Sequence, residues 1–293
     1  MEKEITPINK LSWSDKLKSY TKHPGSFVLL LLVSISAVLT VTVLIYLVGY
    51  ILIHGVPYLK PELFSFTYNS DNVSMMPAII NTVTMVLLAL LFSVPFGIGA
   101  AIYLVEYAKK GNKFVELVRV TAETLTGIPS IVYGLFGMLF FVRALGWDYS
   151  MLAGAATLAI MVLPVIMRTT EEALLCVPDS FREGSFGLGA GKLRTIFKIV
   201  LPSAIPGILS GVILAIGRIV GETAALIYTA GTVAQVAGIM NSGRTLAIHM
   251  YSLSREGLHT NEAYATAVVL LAVVLLINGL SSLIARKLES AKE

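Results

Sequence analysis

The sequence predicts an all-α membrane protein with six transmembrane helices. Of its 293 residues, 56% are hydrophobic and only 14% are charged, whereas soluble globular chains carry about 25% charged residues. The mean hydropathy is +0.80. The apolar residues occur in long runs that do not alternate with polar ones, and lipid requires a spanning segment to pair its backbone groups internally. These observations favour membrane-spanning helices over strands.

Six segments are long enough to span, either alone or with a neighbouring helix, because about 20 apolar residues cross the hydrocarbon core. The third requires the helix that precedes it, and the fifth is interrupted by glycines and by Arg218 and Glu222. Pro129 and Pro164 are expected to break the third and fourth helices. The predicted spans are residues 27–53, 78–107, 128–145, 151–167, 205–230 and 263–285.

The basic residues predict the orientation of these spans. If the N-terminus is cytoplasmic, 17 of the 22 Lys and Arg residues fall on the cytoplasmic side, four fall outside, and Arg218 lies within a span. This asymmetry follows the positive-inside rule, so both termini are predicted to be cytoplasmic. The basic balance therefore reflects membrane topology, and no basic face interleaved with aromatic residues indicates nucleic-acid binding.

The predicted organisation is a cytoplasmic tail over residues 1–25, a transmembrane domain over residues 26–288 and a second tail over residues 289–293. The single cysteine, Cys176, excludes an internal disulfide. We expect it to be a small buried hydrophobic residue. The polar, basic N-terminus and the long first apolar run do not match a cleavable signal peptide.

The longest predicted cytoplasmic loop, residues 177–202, contains the glycine-rich string GLGAGKLRT, which does not match a nucleotide-binding loop. A phosphate loop would need glycine where Phe186 stands and Ser or Thr directly after Lys192. The glycines are instead predicted to separate two short helices. The second helix has four apolar residues at helical spacing on one face: Leu193, Ile196, Phe197 and Val200.

Seven residues of this loop keep a characteristic spacing: Glu183, Gly184, Ser185, Gly189, Ile199, Leu201 and Pro202. The pattern resembles the E-A-A-x3-G-x9-I-x-L-P motif of permease subunits of bacterial ABC importers, with Gly184 and Ser185 in place of the two alanines. Both replacements are small enough for close docking. In that family the loop is a coupling helix that inserts into a groove on the ATP-binding subunit. The resemblance therefore implies that ATP and Mg²⁺ bind to partner subunits and that this chain holds no cofactor.

Further strings extend this resemblance: TGIPSIVYGL, RTTEEALLCVP, SGVILAIGRIVGETAAL and AYATAVVLLAVVLLIN. Together they are similar to permease subunits of the phosphate-specific bacterial ABC importer, and they favour the PstA type over the PstC type. The resemblance implies the six-helix importer permease fold of the methionine- and molybdate-transporter type, in the bacterial inner membrane. It also implies three kinds of partner: a PstC-like second permease in a heterodimer, two PstB-like ATP-binding subunits and a PstS-like extracytoplasmic phosphate-binding protein.

Arg218 and Glu222 are the candidate pathway residues, spaced i,i+4 within the fifth predicted span. Ionisable residues in membrane spans mark substrate pathways and normally pair, and the arginine fork can donate two hydrogen bonds to phosphate. We interpret Arg218 as a phosphate contact and Glu222 as the group that holds it between turnovers. The alternative is a salt bridge that only locks helix packing. Arg168, at the cytoplasmic end of the fourth helix, is either a topology anchor or an exit-side phosphate contact.

No catalytic or metal site is predicted, because the four histidines are scattered without metal-ligand spacing. Residues 241–257 predict an amphipathic helix, either interfacial or, as the resemblance implies, part of the docking surface for the binding protein. Three other functions stay open. They are import of sulfate, molybdate or phosphonate, secondary transport or channel activity without ATP, and a membrane scaffold.

Overall fold

The computed structural model describes residues 24–109 and 111–290, in which all regular elements are helical. Most of the predicted tails, residues 1–25 and 289–293, therefore lie outside the described residues. The chain divides into two compact units, one ending at Ile53 and one beginning at His54. The first unit contains almost all of helix α1 (Pro24–Gly55), whose 32 residues exceed the about 20 that a membrane span requires.

The other helices belong to the second unit. They are α2 (Met76–Ile102), α3 (Lys113–Thr126), α4 (Ser130–Gly137), α5 (Met151–Leu175), α6 (Asp179–Gly187), α7 (Lys192–Thr195), α8 (Leu201–Val220), α9 (Ala224–Ile227), α10 (Leu246–Glu256) and α11 (Thr260–Ser290). Two 3₁₀ turns, Val56–Tyr58 and Pro61–Phe64, precede α2. Wider π-helical segments continue α2, α4 and α7: Tyr103–Tyr107, Met138–Ala144 and Ile196–Val200.

The predicted six spans are confirmed within the described part of the chain. Five helical segments are long and apolar enough to cross a membrane, and the number is six when a bent pair is counted as one span. This pair is Lys113–Thr126 followed by Ser130–Ala144, with a bend of 103° between them. Pro129 occupies the N-cap of α4, where its missing N–H and its effect on the preceding residue end α3 and start a new helix. The predicted break at Pro129 is confirmed.

The predicted break at Pro164 is wrong. Pro164 lies within α5, which continues without interruption past Met167 to Leu175. This helix packs against both α2 and α8, and most of its apolar stretch is buried. Neighbouring helices on two sides hold α5 in place, and such packing allows a proline to be accommodated within a membrane helix.

The fifth span ends earlier than predicted. Its helix runs from Lys192 to Val220, and the chain then turns at residues 221–223 before the single turn of α9. Residues 228–245, here called the outer loop, follow without a helix. The outer loop is fixed to the beginning of α2 by Asn81, whose amide donates to Gln235 O at 2.8 Å. It is fixed to the beginning of α5 by Met151 N, which donates to Asn241 O at 3.0 Å.

The main core lies where α5 contacts α2 and α8, and its interior includes Met85, Leu158 and Ile219. Two glycines of α8 allow the close approach to α5. A side chain at Gly211 would collide with Thr169, and one at Gly207 would collide with Ala173. Small residues let membrane helices pack closely in this way, and the two helices connect the loop at residues 177–202, here called the coupling loop, to the outer loop.

Candidate functional site

The predicted cytoplasmic loop contains α6, a turn and α7, which continues into α8. Gly189 lies in this turn with φ +81°, a left-handed conformation that favours glycine. No atom would lie within 4 Å of a Cβ placed on it, so the requirement for glycine is conformational and not steric. The predicted bend at Gly189 is confirmed, with α6 ending at Gly187.

The two residues that replace the alanines have different environments. Gly184 faces open space. Ser185 is 5% exposed, and its Oγ lies 2.8 Å from Thr195 Oγ1, within hydrogen-bond distance. This bond joins α6 to α7 across the glycine turn. Glu183 is exposed, so it lies on the accessible side of the same helix.

Five large apolar side chains form an exposed surface on this loop, here called the coupling surface: Phe181, Phe186, Leu188, Leu193 and Phe197, at 49%, 47%, 90%, 63% and 52% exposure. The prediction that Leu193, Ile196, Phe197 and Val200 share one face is wrong. Ile196 and Val200 are buried among the cores of α2, α5 and α8. The helix widens to π geometry over Ile196–Val200, and this separates the buried pair from the exposed pair.

The remaining motif residues connect the coupling surface to the membrane. Ile199, Leu201 and Pro202 are half-buried where the π segment becomes α8. Pro202 lies where the π segment passes into α8, inside the helix that runs from Lys192 to Val220, and it has no N–H to donate to the preceding turn. Cys176 forms the C-cap of α5 and is exposed. The expectation that it is buried is wrong, because the chain reverses direction there at the surface.

Arg182 holds α6 against the rest of the bundle. Its Nη2 donates to Leu174 O at 2.9 Å and its Nη1 to Val177 O at 2.8 Å. The Nε and Nη2 atoms also donate to Glu106 Oε1 at 3.0 and 2.8 Å. Glu106 belongs to the π segment that ends α2, and its side chain is only 8% exposed. No local sequence pattern predicts this pair, because its members are 76 residues apart.

Arg218 lines an open cavity of about 680 Å³ between α3, α5, α8 and α11. Within the described residues, no hydrogen bond or salt bridge is formed by its guanidinium. The cavity is also lined by Thr126, Ser210 and Asn278. Asn278 Oδ1 is buried without a hydrogen-bond partner. In this cavity the Arg218 guanidinium provides donors and the Asn278 side-chain oxygen provides an acceptor for a polar solute.

Glu222 does not pair with Arg218, so that prediction is wrong. Arg218 lies in the last turn of α8, whereas Glu222 follows the end of this helix at Val220. The Glu222 carboxylate accepts hydrogen bonds from Thr223 N at 3.2 Å and from Ala225 N at 3.0 Å. It therefore stabilises the beginning of α9, and the i,i+4 geometry that the prediction required does not exist.

Arg168 belongs to a group of charged residues around a cavity of about 260 Å³ between α3 and α5. Its guanidinium is 3.6 Å from Glu123 and 3.5 Å from Glu172, and its side chain is 55% exposed. Nearby, Arg119 Nε donates to the buried Glu171 at 2.7 Å. Exposed pairs such as those of Arg168 contribute little to stability. The charge of Arg168 therefore stays accessible at the predicted cytoplasmic end of α5.

The family described as a binding-protein-dependent transport system inner membrane component matches residues 93–292. The chain belongs to this family. The matched region includes the coupling surface, Arg168 and Arg218, and it excludes α1.

Several relatives of this binding-protein-dependent permease are similar in sequence. The probable ABC transporter permease protein YqgI of Bacillus subtilis is 34% identical over 243 residues, which cover 76% of this chain and 81% of that protein. The phosphate transport system permease protein PstA of Haemophilus influenzae is 31% identical over 274 residues, which cover 90% of this chain and 95% of that protein. PstA of Mycobacterium leprae is 40% identical over 154 residues, which cover 53% of this chain and 50% of that protein.

Solved structures show the same fold. The MetNI methionine ABC transporter, in an inward facing conformation, matches with a TM-score of 0.57 at 21% identity, covering 73% of the permease and 94% of that chain. A bacterial alginate ABC transporter matches with a TM-score of 0.68 at 16% identity, covering 92% of this chain and 97% of that chain. The predicted all-α importer permease fold is confirmed. The chain is a multi-pass membrane subunit of an ABC importer, whose ATP-driven part lies on other subunits.

Proposed function

We propose that this permease carries inorganic phosphate across the bacterial inner membrane. The observation that carries the proposal is the unpaired guanidinium of Arg218 in its polar cavity. Phosphate is anionic near pH 7, and its transfer through a low-dielectric region requires charge-assisted hydrogen bonds of the kind that arginine donates. Relatives named as phosphate transport permeases, at 31–41% identity, support phosphate as the oxyanion.

The acceptors in the cavity favour phosphate over sulfate. Thr126 and Ser210 donate their hydroxyl protons to carbonyls within their own helices at 2.9 and 3.1 Å. Each hydroxyl therefore presents lone pairs to the cavity, as does the unpartnered Asn278 Oδ1. Hydrogen phosphate carries a P–OH group that can donate to such acceptors. Sulfate has no proton near pH 7, so it cannot donate to these acceptors.

The proposed transport unit has several subunits. A second, PstC-like permease would form a heterodimer with the domain at residues 26–288, and two PstB-like subunits would bind ATP and Mg²⁺ and dock on the coupling surface. A PstS-like extracytoplasmic protein would deliver phosphate. The exposed Phe181, Phe186 and Leu188 support a protein partner at the cytoplasmic side, because clustered exposed apolar residues mark interaction sites.

The test is ATP-dependent uptake of labelled phosphate into proteoliposomes that contain the permease and its partner proteins. We expect uptake to require ATP, to resist excess sulfate and molybdate, and to fall at least tenfold with Arg218→Gln. Asn278→Leu is expected to weaken the discrimination against sulfate without abolishing uptake. Uptake that sulfate or molybdate blocks equally well in the wild type would assign the permease to another oxyanion. Uptake without ATP would identify a secondary transporter.

A further inference from the structure

A second group of buried polar side chains lies at the beginning of α10, which is separated from Arg218 in the chain by α9 and the outer loop. Four of its atoms are buried without a hydrogen-bond partner in the described chain: Arg244 Nη2, Thr245 Oγ1, His249 Nδ1 and His249 Nε2. The three residues are 6%, 2% and 0% exposed. Buried polar groups are normally hydrogen-bonded, and the chain itself supplies no partner for these four atoms, so they are available to a bound ligand.

The charge of Arg244 has no counter-ion among residues 24–109 and 111–290. Its Cζ lies over the ring of Tyr68, 4.5 Å from the centroid, so the guanidinium makes a cation–π contact with this ring. A cation–π contact with one tyrosine offsets only part of the cost of burying a charge. The remaining cost requires an acceptor that the chain itself does not supply.

His249 adds a donor without adding charge. Burial, followed by the charge of Arg244, lowers the pKa of His249 to about 3, and the backbone of Val73 opposes the shift only weakly. The neutral imidazole keeps one N–H donor, and neither ring nitrogen has a partner at hydrogen-bond geometry. The ring meets Tyr68 edge-on, with 6.2 Å between the centroids. The imidazole and the guanidinium therefore lie against the same aromatic ring.

The beginning of α10 strengthens the positive potential at this place. The helix has 11 residues, and the side chain of its N-cap, Thr245, does not cap it. Leu246 N donates instead to Thr82 Oγ1 at 2.9 Å. Thr245 and His249 are four residues apart and share one side of the helix. Backbone N–H groups and the helix dipole favour an anion at such an end.

We propose that Arg244, Thr245 and His249 bind a small tetrahedral oxyanion on the side of the permease predicted to be extracytoplasmic. A macromolecular partner cannot reach these side chains, because the chain's own residues enclose them. A small anion can accept from the guanidinium, the hydroxyl and the imidazole together. These residues do not line the Arg218 cavity, so the site is separate from it, and the inference holds whichever oxyanion the permease transports.

The test uses the assembled complex in nanodiscs, without ATP and without the binding protein. Arg218→Gln is present throughout to remove the pathway contact. Radiolabelled inorganic phosphate is the probe, and sulfate is run in parallel. We expect saturable binding that weakens about tenfold or more with Arg244→Met. The matched control is Arg255→Met, which alters an exposed arginine on the same helix and is expected to leave binding unchanged.

Two further variants separate binding from folding. Arg244→Lys keeps the charge but loses the planar fork, so it should bind several-fold more weakly while the complex assembles normally. Without anion, Arg244→Met should melt at or above the temperature of its parent, because a buried unpaired charge is removed. Phosphate should raise the melting temperature of the parent and not that of Arg244→Met. Equal binding by the Arg244→Met and Arg255→Met proteins, or no saturable binding of either anion, would overturn the proposal.

Discussion

At the scale of single residues, the carboxylate of Glu222 connects the end of α8 to the beginning of α9. It accepts from two backbone N–H groups that would otherwise lack partners at a helix start. We expect Glu222→Ala to lower the free energy of unfolding by about 1 kcal/mol, as other losses of an N-terminal cap do. Thermal unfolding of the detergent-solubilised complex measures this change.

Glu222→Gln separates this capping role from a counter-ion role. The amide oxygen can accept the same two hydrogen bonds, so phosphate uptake should stay near the wild-type rate. Glu172→Gln, which alters an exposed carboxylate, is the control and should change stability by less than about 0.5 kcal/mol. If Glu222→Gln instead reduces uptake as strongly as Arg218→Gln, Glu222 balances the charge of Arg218 and the capping account is wrong.

The residues of the pathway and of the loop differ in how far the sequence predicts them. Arg218 was predictable because an arginine in an apolar span is costly and implies a function. The pairing with Glu222 was not, since it depended on a helix that ends at Val220. Ser185 was predicted only to be small. Its bond to Thr195 depends on how the turn at Gly189 places α6 against α7, and glycine predicts the turn but not this placement.

At the scale of elements, Arg182 and Glu106 connect α6 to the end of α2. Arg182 also donates to two carbonyls at the end of α5, so three elements meet at one guanidinium. A docked partner that moves α6 would therefore displace α2 and α5 with it. This arrangement connects the cytoplasmic loop to α5, which also lines the Arg218 cavity.

We expect Arg182→Lys to uncouple ATP hydrolysis from transport. A lysine cannot reproduce the planar fork, and the loss of charge-assisted hydrogen bonds corresponds to about 2 kcal/mol. The ratio of phosphate transported to ATP hydrolysed should fall several-fold, whereas the hydrolysis rate itself persists. Arg194→Lys, at an exposed position in the same loop, is the control. Equal loss of hydrolysis and transport would indicate that Arg182 only stabilises the loop.

The π segment and the two prolines show where a prediction of helices from the sequence fails. Apolar spacing predicted one face for Leu193, Ile196, Phe197 and Val200 because it assumed 3.6 residues per turn. The π segment over Ile196–Val200 changes this period and leaves Leu193 and Phe197 exposed for docking. The break at Pro129 was predictable because proline lacks an N–H and disfavours helical geometry in the residue before it. Pro164 was not distinguishable from it, since packing against neighbouring helices decides whether a proline interrupts a membrane helix.

At the scale of the whole molecule, the coupling loop and the outer loop lie at opposite ends of α5. Met151 contacts the outer loop at one end, and Arg182 contacts the carbonyls at the other. The asymmetry of basic residues predicts that the Arg182 end is cytoplasmic. The length and hydropathy of the chain predicted the spans, whereas the path of residues 228–245 depended on hydrogen bonds to Asn81 that are distant in sequence.

The single cysteine provides a direct test of this orientation. Cys176 is the only cysteine of the chain and is exposed at the end of α5. A membrane-impermeant maleimide should therefore label the wild-type permease in inside-out vesicles and not in right-side-out vesicles. Cys176→Ser combined with Ser254→Cys, at an exposed position on α10, should give the reverse pattern. Labelling of Cys176 from outside would invert the topology and place the coupling surface where no ATP-binding subunit can reach it.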